Sequence, residues 1–309
     1  MFRFQDFRIC MIIQLAIIVL MAGSCRQAET GKEAEDTEGF VFAFVTDIHV
    51  QPERNATEGF RQAIRKVNEL DPDFVITGGD LIMDALGVTY ERADSLYDLY
   101  EETVQEFDMP VYNTIGNHEV FGYYEESGVD STHPFYGDKL YESRMGKRYY
   151  AFNYKNWRFY ILDSVEEMPG GGGYYGYVDR EQIEWLKEDL QDVDTETPLA
   201  ISVHIPMITV QTQLVHGTTV PNNQGSVITN ANQVLELFEG HNLKLVLQGH
   251  LHAYEEIYAN GIYFITGGAV CARWWQGPRR GMEEGFLMVD VNDQKIDAEY
   301  IDFGWTVEE

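Results

Sequence analysis

Phe40-Val-Phe-Ala-Phe-Val-Thr-Asp-Ile-His49 and Phe74-Val-Ile-Thr-Gly-Gly-Asp80 decide the fold. Each is an unbroken apolar run that ends in small or polar residues, with a metal-ligating side chain at its exit. A run without polar alternation is what a strand buried on both faces requires. Between the two, Phe60, Ile64, Val67 and Leu70 recur at helical spacing. A polar helix from about Thr89 to Phe107 leads to a third strand, Val111 to Ile115, closed by Gly116-Asn117. Strand and helix alternating in this way predict a largely parallel, layered α/β sheet.

The middle of the chain, Phe121 to Tyr177, is aromatic and less regular. Tyr149 to Tyr154 and Arg158 to Asp163 read as a hairpin turning near Lys155-Asn156. Pro169 precedes Gly170 to Gly173, which lack the Lys-Ser/Thr pair of a phosphate-binding loop and read as a surface loop. A helix from about Asp179 to Leu190 follows. Strand-like runs resume at Leu199 to Val203, Leu243 to Leu247, Ile262 to Thr266, Phe286 to Val291 and Ala298 to Ile301. The close spacing of the later ones favours hairpins and a second, mixed sheet.

Five of these exits carry metal-ligand side chains: Asp47 and His49; Asp80; Asn117, with His118 and Glu119 beside it; His204; and His250 with His252. In α/β sheets the carboxyl ends of strands converge on one crevice. Side chains at i and i+2 of an extended chain project to one side, so Asp47 and His49 are expected to share a centre, as are His250 and His252. Carboxylate, amide and imidazole donors together suit Fe, Mn or Zn. His133, His216 and His241 lie outside the pattern and read as surface or structural.

The ordered set D-x-H, GD, GNHE, H and GHLH, running from Asp47 to His252, resembles the calcineurin-like metallophosphoesterases. The resemblance implies a four-layer α/β/β/α sandwich of two mixed sheets flanked by helices. It implies two metal ions, the first held by Asp47, His49 and His252, the second by Asn117, His204 and His250, with Asp80 bridging. His118 would be catalytic, acting on the leaving oxygen while a metal-bound hydroxide attacks a phosphomonoester or phosphodiester. Purple acid phosphatases place Tyr three residues after the GD aspartate and D-x-G at the first element; Met83 and His49 depart from both. The chain looks closer to the class III cyclic-nucleotide phosphodiesterase branch. The competing reading is a non-catalytic surface lipoprotein that binds a phosphorylated or glycan ligand on the same scaffold.

Composition bounds the partners. The 309 residues carry 22 basic and 51 acidic side chains, a formal charge of -29, which disfavours nucleic acid polymers as partners. The expected substrate is a phosphorylated small molecule or a lipid headgroup. Arg273-Trp-Trp-Gln-Gly-Pro-Arg-Arg280 is a local cationic and aromatic cluster, readable either as a substrate rim or as core packing. Arg3 and Arg8 precede an apolar run from about Ile9 to Ala22, shorter than the roughly 20 residues of a membrane span. Ala22-Gly-Ser-Cys25 resembles a lipobox. Residues 1–25 are therefore expected to be a signal peptide ending at a lipidated Cys25, 26–39 an acidic tether, and 40–309 the phosphoesterase domain. The expected location is an exported, membrane-anchored lipoprotein facing the periplasm or cell surface, with soluble secretion as the alternative.

Overall fold

The computed structural model describes residues 39–292 and 295–307. The expected signal peptide, Cys25 and nearly all of the tether lie outside the described residues. In chain order the elements are β1 (Phe40–Val45), α1 (Ala56–Leu70), β2 (Phe74–Thr77), α2 (Tyr90–Val104), β3 (Val111–Asn113) and α3 (Lys139–Met145). There follow β4 (Tyr150–Tyr154), β5 (Trp157–Ile161), β6 (Val165–Glu167), β7 (Tyr174–Gly176), α4 (Arg180–Leu190) and β8 (Pro198–Ser202). The chain continues through α5 (Gln211–His216), α6 (Ala231–Leu237), β9 (Asn242–Gln248), β10 (Glu255–Ala259), β11 (Ile262–Thr266), β12 (Gly285–Asn292) and β13 (Lys295–Asp302).

Two mixed sheets carry the architecture. The first has the order β13-β12-β1-β2-β3, the second β10-β11-β9-β8-β5-β4. β1, β2 and β3 run parallel, as do β5, β8, β9 and β11, while the hairpin partners β4 and β10 are antiparallel edges. Alternation along β1 explains the layering. Phe40, Phe42 and Phe44 turn into the inter-sheet core with Phe74, Trp157, Phe159, Leu245 and Leu287. Ala43 and Val45 belong instead to the core formed with Phe60, Ile64, Val67 and Leu96 of α1 and α2. On the second sheet Tyr160 meets Trp185 of α4 and Phe238 beside α6. The expected sandwich with helices on its outer faces is what forms.

One strand assignment changes. Phe286–Val291 and Ala298–Ile301 were expected in the second sheet, but β12 and β13 extend the first, with Phe42 opposite Val289 and Phe44 opposite Leu287. Spacing reveals that two neighbouring strands pair, whereas the open edge they join is chosen by tertiary packing. The glycine run is the turn of the short β6–β7 hairpin: Gly170, Gly171 and Gly172 are exposed and left-handed.

Candidate metal centre

Every ligand-type side chain identified in the sequence leaves the carboxyl end of a parallel strand, and the structure brings all of them to one place. The loops after β1 and β2 are zipped together: Asp47 N–H donates to Gly79 O at 3.0 Å and His49 N–H to Asp80 O at 2.9 Å. The loops after β8 and β9 are joined by Gly249 N–H to His204 O at 2.9 Å. Thr114 Oγ1 and Ser202 Oγ, 2.8 Å apart, tie the two sheets at this end.

The convergence does not come from extended backbone. Asp47, His49, Asp80, His250 and His252 have φ of 55°, 48°, 52°, 72° and 48°, in the left-handed region that non-glycine residues rarely adopt. The expectation of i, i+2 projection from extended chain is thus corrected: each pair shares a centre because the backbone kinks at both members. Such outliers persist only where the surroundings over-determine them, and they cluster at functional sites. At Gly116 a Cβ would lie 2.3 Å from Asp80 N and 2.4 Å from Asp80 Oδ1, so glycine is needed for the two loops to approach.

Asp80 is central. Its Oδ2 lies 3.1 Å from His204 Nε2, 3.5 Å from His49 Nε2 and 3.9 Å from His118 Nε2, while Oδ1 accepts the backbone N–H of His118 at 2.9 Å. On one side His252 Nε2 is 3.3 Å from Asp47 Oδ1 and 3.1 Å from His49 Nε2. On the other, His204 Nε2 is 3.1 Å from Asn117 Oδ1, and the His250 ring stands 5.2 Å from that of His204. Asp47, His49, Asp80, Asn117, His204 and His252 are buried; His250 and His118 are half-buried and face the opening.

A model of calcineurin-like phosphoesterases matches residues 40–254, well over half of the chain. The chain belongs to the calcineurin-like phosphoesterase family. It is accordingly a metallophosphoesterase, a hydrolase that acts on phosphoesters with divalent metal. It is 22% identical over 244 residues to a probable cyclic nucleotide phosphodiesterase of Xenorhabdus bovienii, a match covering 75% of this chain and 87% of the relative. A 3′,5′-cyclic adenosine monophosphate phosphodiesterase of Haemophilus influenzae is 21% identical over 228 residues, covering 71% of this chain and 70% of the relative. Among solved structures, a dimetal phosphatase from Danio rerio superposes with a TM-score of 0.59 at 16% identity, covering 86% of this chain and 96% of that one, which shows a common fold.

The donor chemistry of this calcineurin-like phosphoesterase fits cations. His204 Nδ1 donates to Gly78 O at 2.7 Å and His252 Nδ1 to Ala272 O at 2.6 Å. With those protons fixed outward, each Nε2 presents a lone pair to the carboxylate and amide oxygens opposite, so acceptor faces acceptor across the centre. A positive ion is what such a set requires. Burial holds the His49 imidazole well below its usual range, and burial followed by the His204 charge brings His250 down to about 3, so both stay neutral, the ligating form. Burial pulls His204 the same way, but the Asp80 carboxylate outweighs it and raises His204 to about 9: without metal the demand for positive charge falls on that ring. Asp80 itself is held well below its usual range, because the surrounding histidines outweigh its burial.

Four neighbours complete the site. Glu119 fixes the loops rather than orienting His118: its carboxylate accepts N–H groups of Asp80, Leu81, Ile82 and Gly116 at 2.7–3.1 Å. Asp84, which sequence reasoning missed, stands 3.7 Å from His118 Nδ1; its signal was only a second aspartate four residues beyond Asp80. Cys271 lies 3.8 Å from His252 Nδ1, the nitrogen facing away from the centre, and burial keeps its thiol well above the usual range. The Arg/Trp cluster divides between its two readings. Trp275 is core and donates from Nε1 to Ile48 O at 3.0 Å, whereas half-buried Trp274 sits 4.9 Å from the His252 ring. His133, His216 and His241 stay outside the group; His133 packs beside Phe121.

Proposed function

We propose that the chain hydrolyses a phosphate ester at a centre of two metal ions, one held by Asp47, His49 and His252, the other by Asn117, His204 and His250, with Asp80 shared. The supporting observation is Asp80 Oδ2, within 3.5 Å of imidazole nitrogens from both sets. Fe, Mn or Zn bound there supplies Lewis acidity toward the phosphoryl oxygens and lowers the pKa of water.

The protein's own part is positional. His118 is anchored through its Nδ1 proton to Met83 O and through its backbone N–H to Asp80. That leaves Nε2 facing the centre, where it can hand a proton to the departing oxygen. Asp84 places negative charge beside the imidazolium that performs this transfer. Glu119 keeps the β2 and β3 exits in register, so Asp80 and Asn117 stay aligned. An intact, anchored His118 favours hydrolysis over the purely binding lipoprotein.

The relatives named as cyclic nucleotide phosphodiesterases support trying phosphodiesters first, cyclic nucleotides included, with phosphomonoesters and phospholipid headgroups beside them. The test is turnover of that panel by manganese-, zinc- or iron-loaded protein. Silence across all classes with every metal would end this reading. Export with lipidation at Cys25 is inferred from residues 1–25 alone; labelled fatty acid should enter the wild type and not Cys25→Ser.

A further inference from the structure

Arg279 is an exception among the arginines. Arg61, Arg92, Arg144, Arg148 and Arg158 are buried or half-buried, and each pairs with a carboxylate within 3.0 Å. Arg279 is also half-buried, yet its guanidinium has no ion pair or hydrogen bond among the described residues. It lies over the ring of Trp274, with Cζ 5.1 Å from the ring centre. Removing a cation from water without a directly paired carboxylate is costly, and burial and then neighbouring Arg280 work against its charge, only partly offset by the more distant Asp47 carboxylate. A chain with 51 acidic residues had ample means to pair it.

The placement is specific. Trp274 lies 4.9 Å from the His252 ring and 6.4 Å from that of His49, so it joins the guanidinium to the metal centre. The loop is fixed on both flanks: Trp275 is pinned to the β1 exit through Ile48 O, and Arg279 exchanges backbone hydrogen bonds with Met282 at 2.9 and 3.0 Å. Stacking on a ring engages the flat face of a guanidinium and leaves its in-plane N–H donors available. The wall beyond His118 has the opposite character. A cavity of about 530 Å³ there is lined by Asp84, Gly87, Tyr124, Glu125, Glu126 and Gly172, with no Lys or Arg. A negatively charged group is repelled on that side and attracted on the other.

We propose that Arg279, carried on Trp274, recognises a second anionic group of the substrate, a phosphate or carboxylate outside the scissile phosphoryl. This rests on the reading of the centre as a phosphoester site. It gives the enzyme a preference for doubly anionic substrates and directs the neutral part of the substrate toward His118.

Adenosine 3′,5′-bisphosphate and adenosine 5′-monophosphate differ by one phosphate. Titrating both calorimetrically into manganese-loaded protein reads the proposal without requiring turnover. Wild type should bind the bisphosphate roughly 10- to 100-fold more tightly, the scale of a charge-assisted pair. Arg279→Gln should abolish that ratio and leave monophosphate affinity in place, while Arg279→Lys, which keeps the charge but not the fork, should retain part of it. An unchanged melting temperature verifies that the variants are folded. A wild-type ratio near one, a ratio that Arg279→Gln does not alter, or equal loss for both ligands would overturn the proposal. Turnover of the phosphoester panel by the same protein loaded with manganese, zinc or iron separates the two readings. A wild type silent across that panel that keeps the ratio ends the hydrolase reading alone, whereas an active wild type without the ratio ends this one alone.

Discussion

His118 differs from the other histidines of the centre in its exposure. Like His204 and His252 it turns Nδ1 to a backbone carbonyl, but those two bury Nε2 among oxygens, while His118 is half-buried and its Nε2 reaches the edge of the Asp80 carboxylate from the cleft. A side chain in that position contributes to the reaction more than to the centre's assembly. His118→Ala should lower kcat by about 10²–10⁴-fold, the usual scale for lost proton transfer, with bound metal and melting temperature little changed. Equal loss of metal would show it to be a ligand instead. At this scale the sequence was informative because ligand chemistry limits residue type: Asp47, His49, Asp80, Asn117, His204, His250 and His252 all reach the centre. The kinked backbone that brings them there was hidden. Left-handed φ at Asp47 or His250 is imposed by contacts between loops distant in sequence, such as His250 N–H to Asp47 Oδ2 at 3.0 Å.

Strands and helices repeat the division between local and tertiary information. The apolar runs of β1 and β2 and the hairpin of β4 and β5 follow from patterns within a few residues, whereas the joining of β12 to β1 does not. Gly59 shows how packing overrides local preference. In the interior of α1, Gly→Ala normally gains up to about 1 kcal/mol of helix stability. A Cβ at Gly59, however, would lie 2.3 Å from the buried ring of Trp275, the residue that pins the β1 exit. Gly59→Ala should therefore destabilise the protein by about 1–3 kcal/mol of overpacking, measured by denaturant unfolding; a gain would show that the ring is free to move. Near the start of α4, Arg148 meets Asp138, Asp163 and Asp179 at 2.9, 3.0 and 2.6 Å. One guanidinium cannot neutralise three carboxylates, and burial, only partly opposed by Arg148, pushes Asp163 up to about 7. A folded pKa above the unfolded one gives a contribution complete below about pH 4 and lost as pH rises through about 7. Asp163→Asn should remove that slope, so the melting temperature of wild type relative to the variant should fall between those limits. Parallel curves would refute the assignment.

Across the whole molecule, the charge of -29 works against an anionic substrate until it reaches the centre. Screening should relieve that repulsion, since the Debye length shortens to about 10 Å at 0.1 M salt. The kcat/KM for a phosphoester should therefore rise with ionic strength between about 10 and 100 mM, opposite to an electrostatically steered enzyme; a fall would mean that the local field of the centre and Arg279 dominates at long range. Two sheets, five loops and seven ligand-type side chains serve one purpose in this account: to hold a pair of cations around Asp80. Metal analysis of the manganese-reconstituted protein, in parallel with Asp80→Ala, tests that claim most directly. The account predicts two equivalents per chain in the wild type and one or fewer in the variant; a wild type that retains none, or a content that Asp80→Ala leaves unchanged, would contradict it.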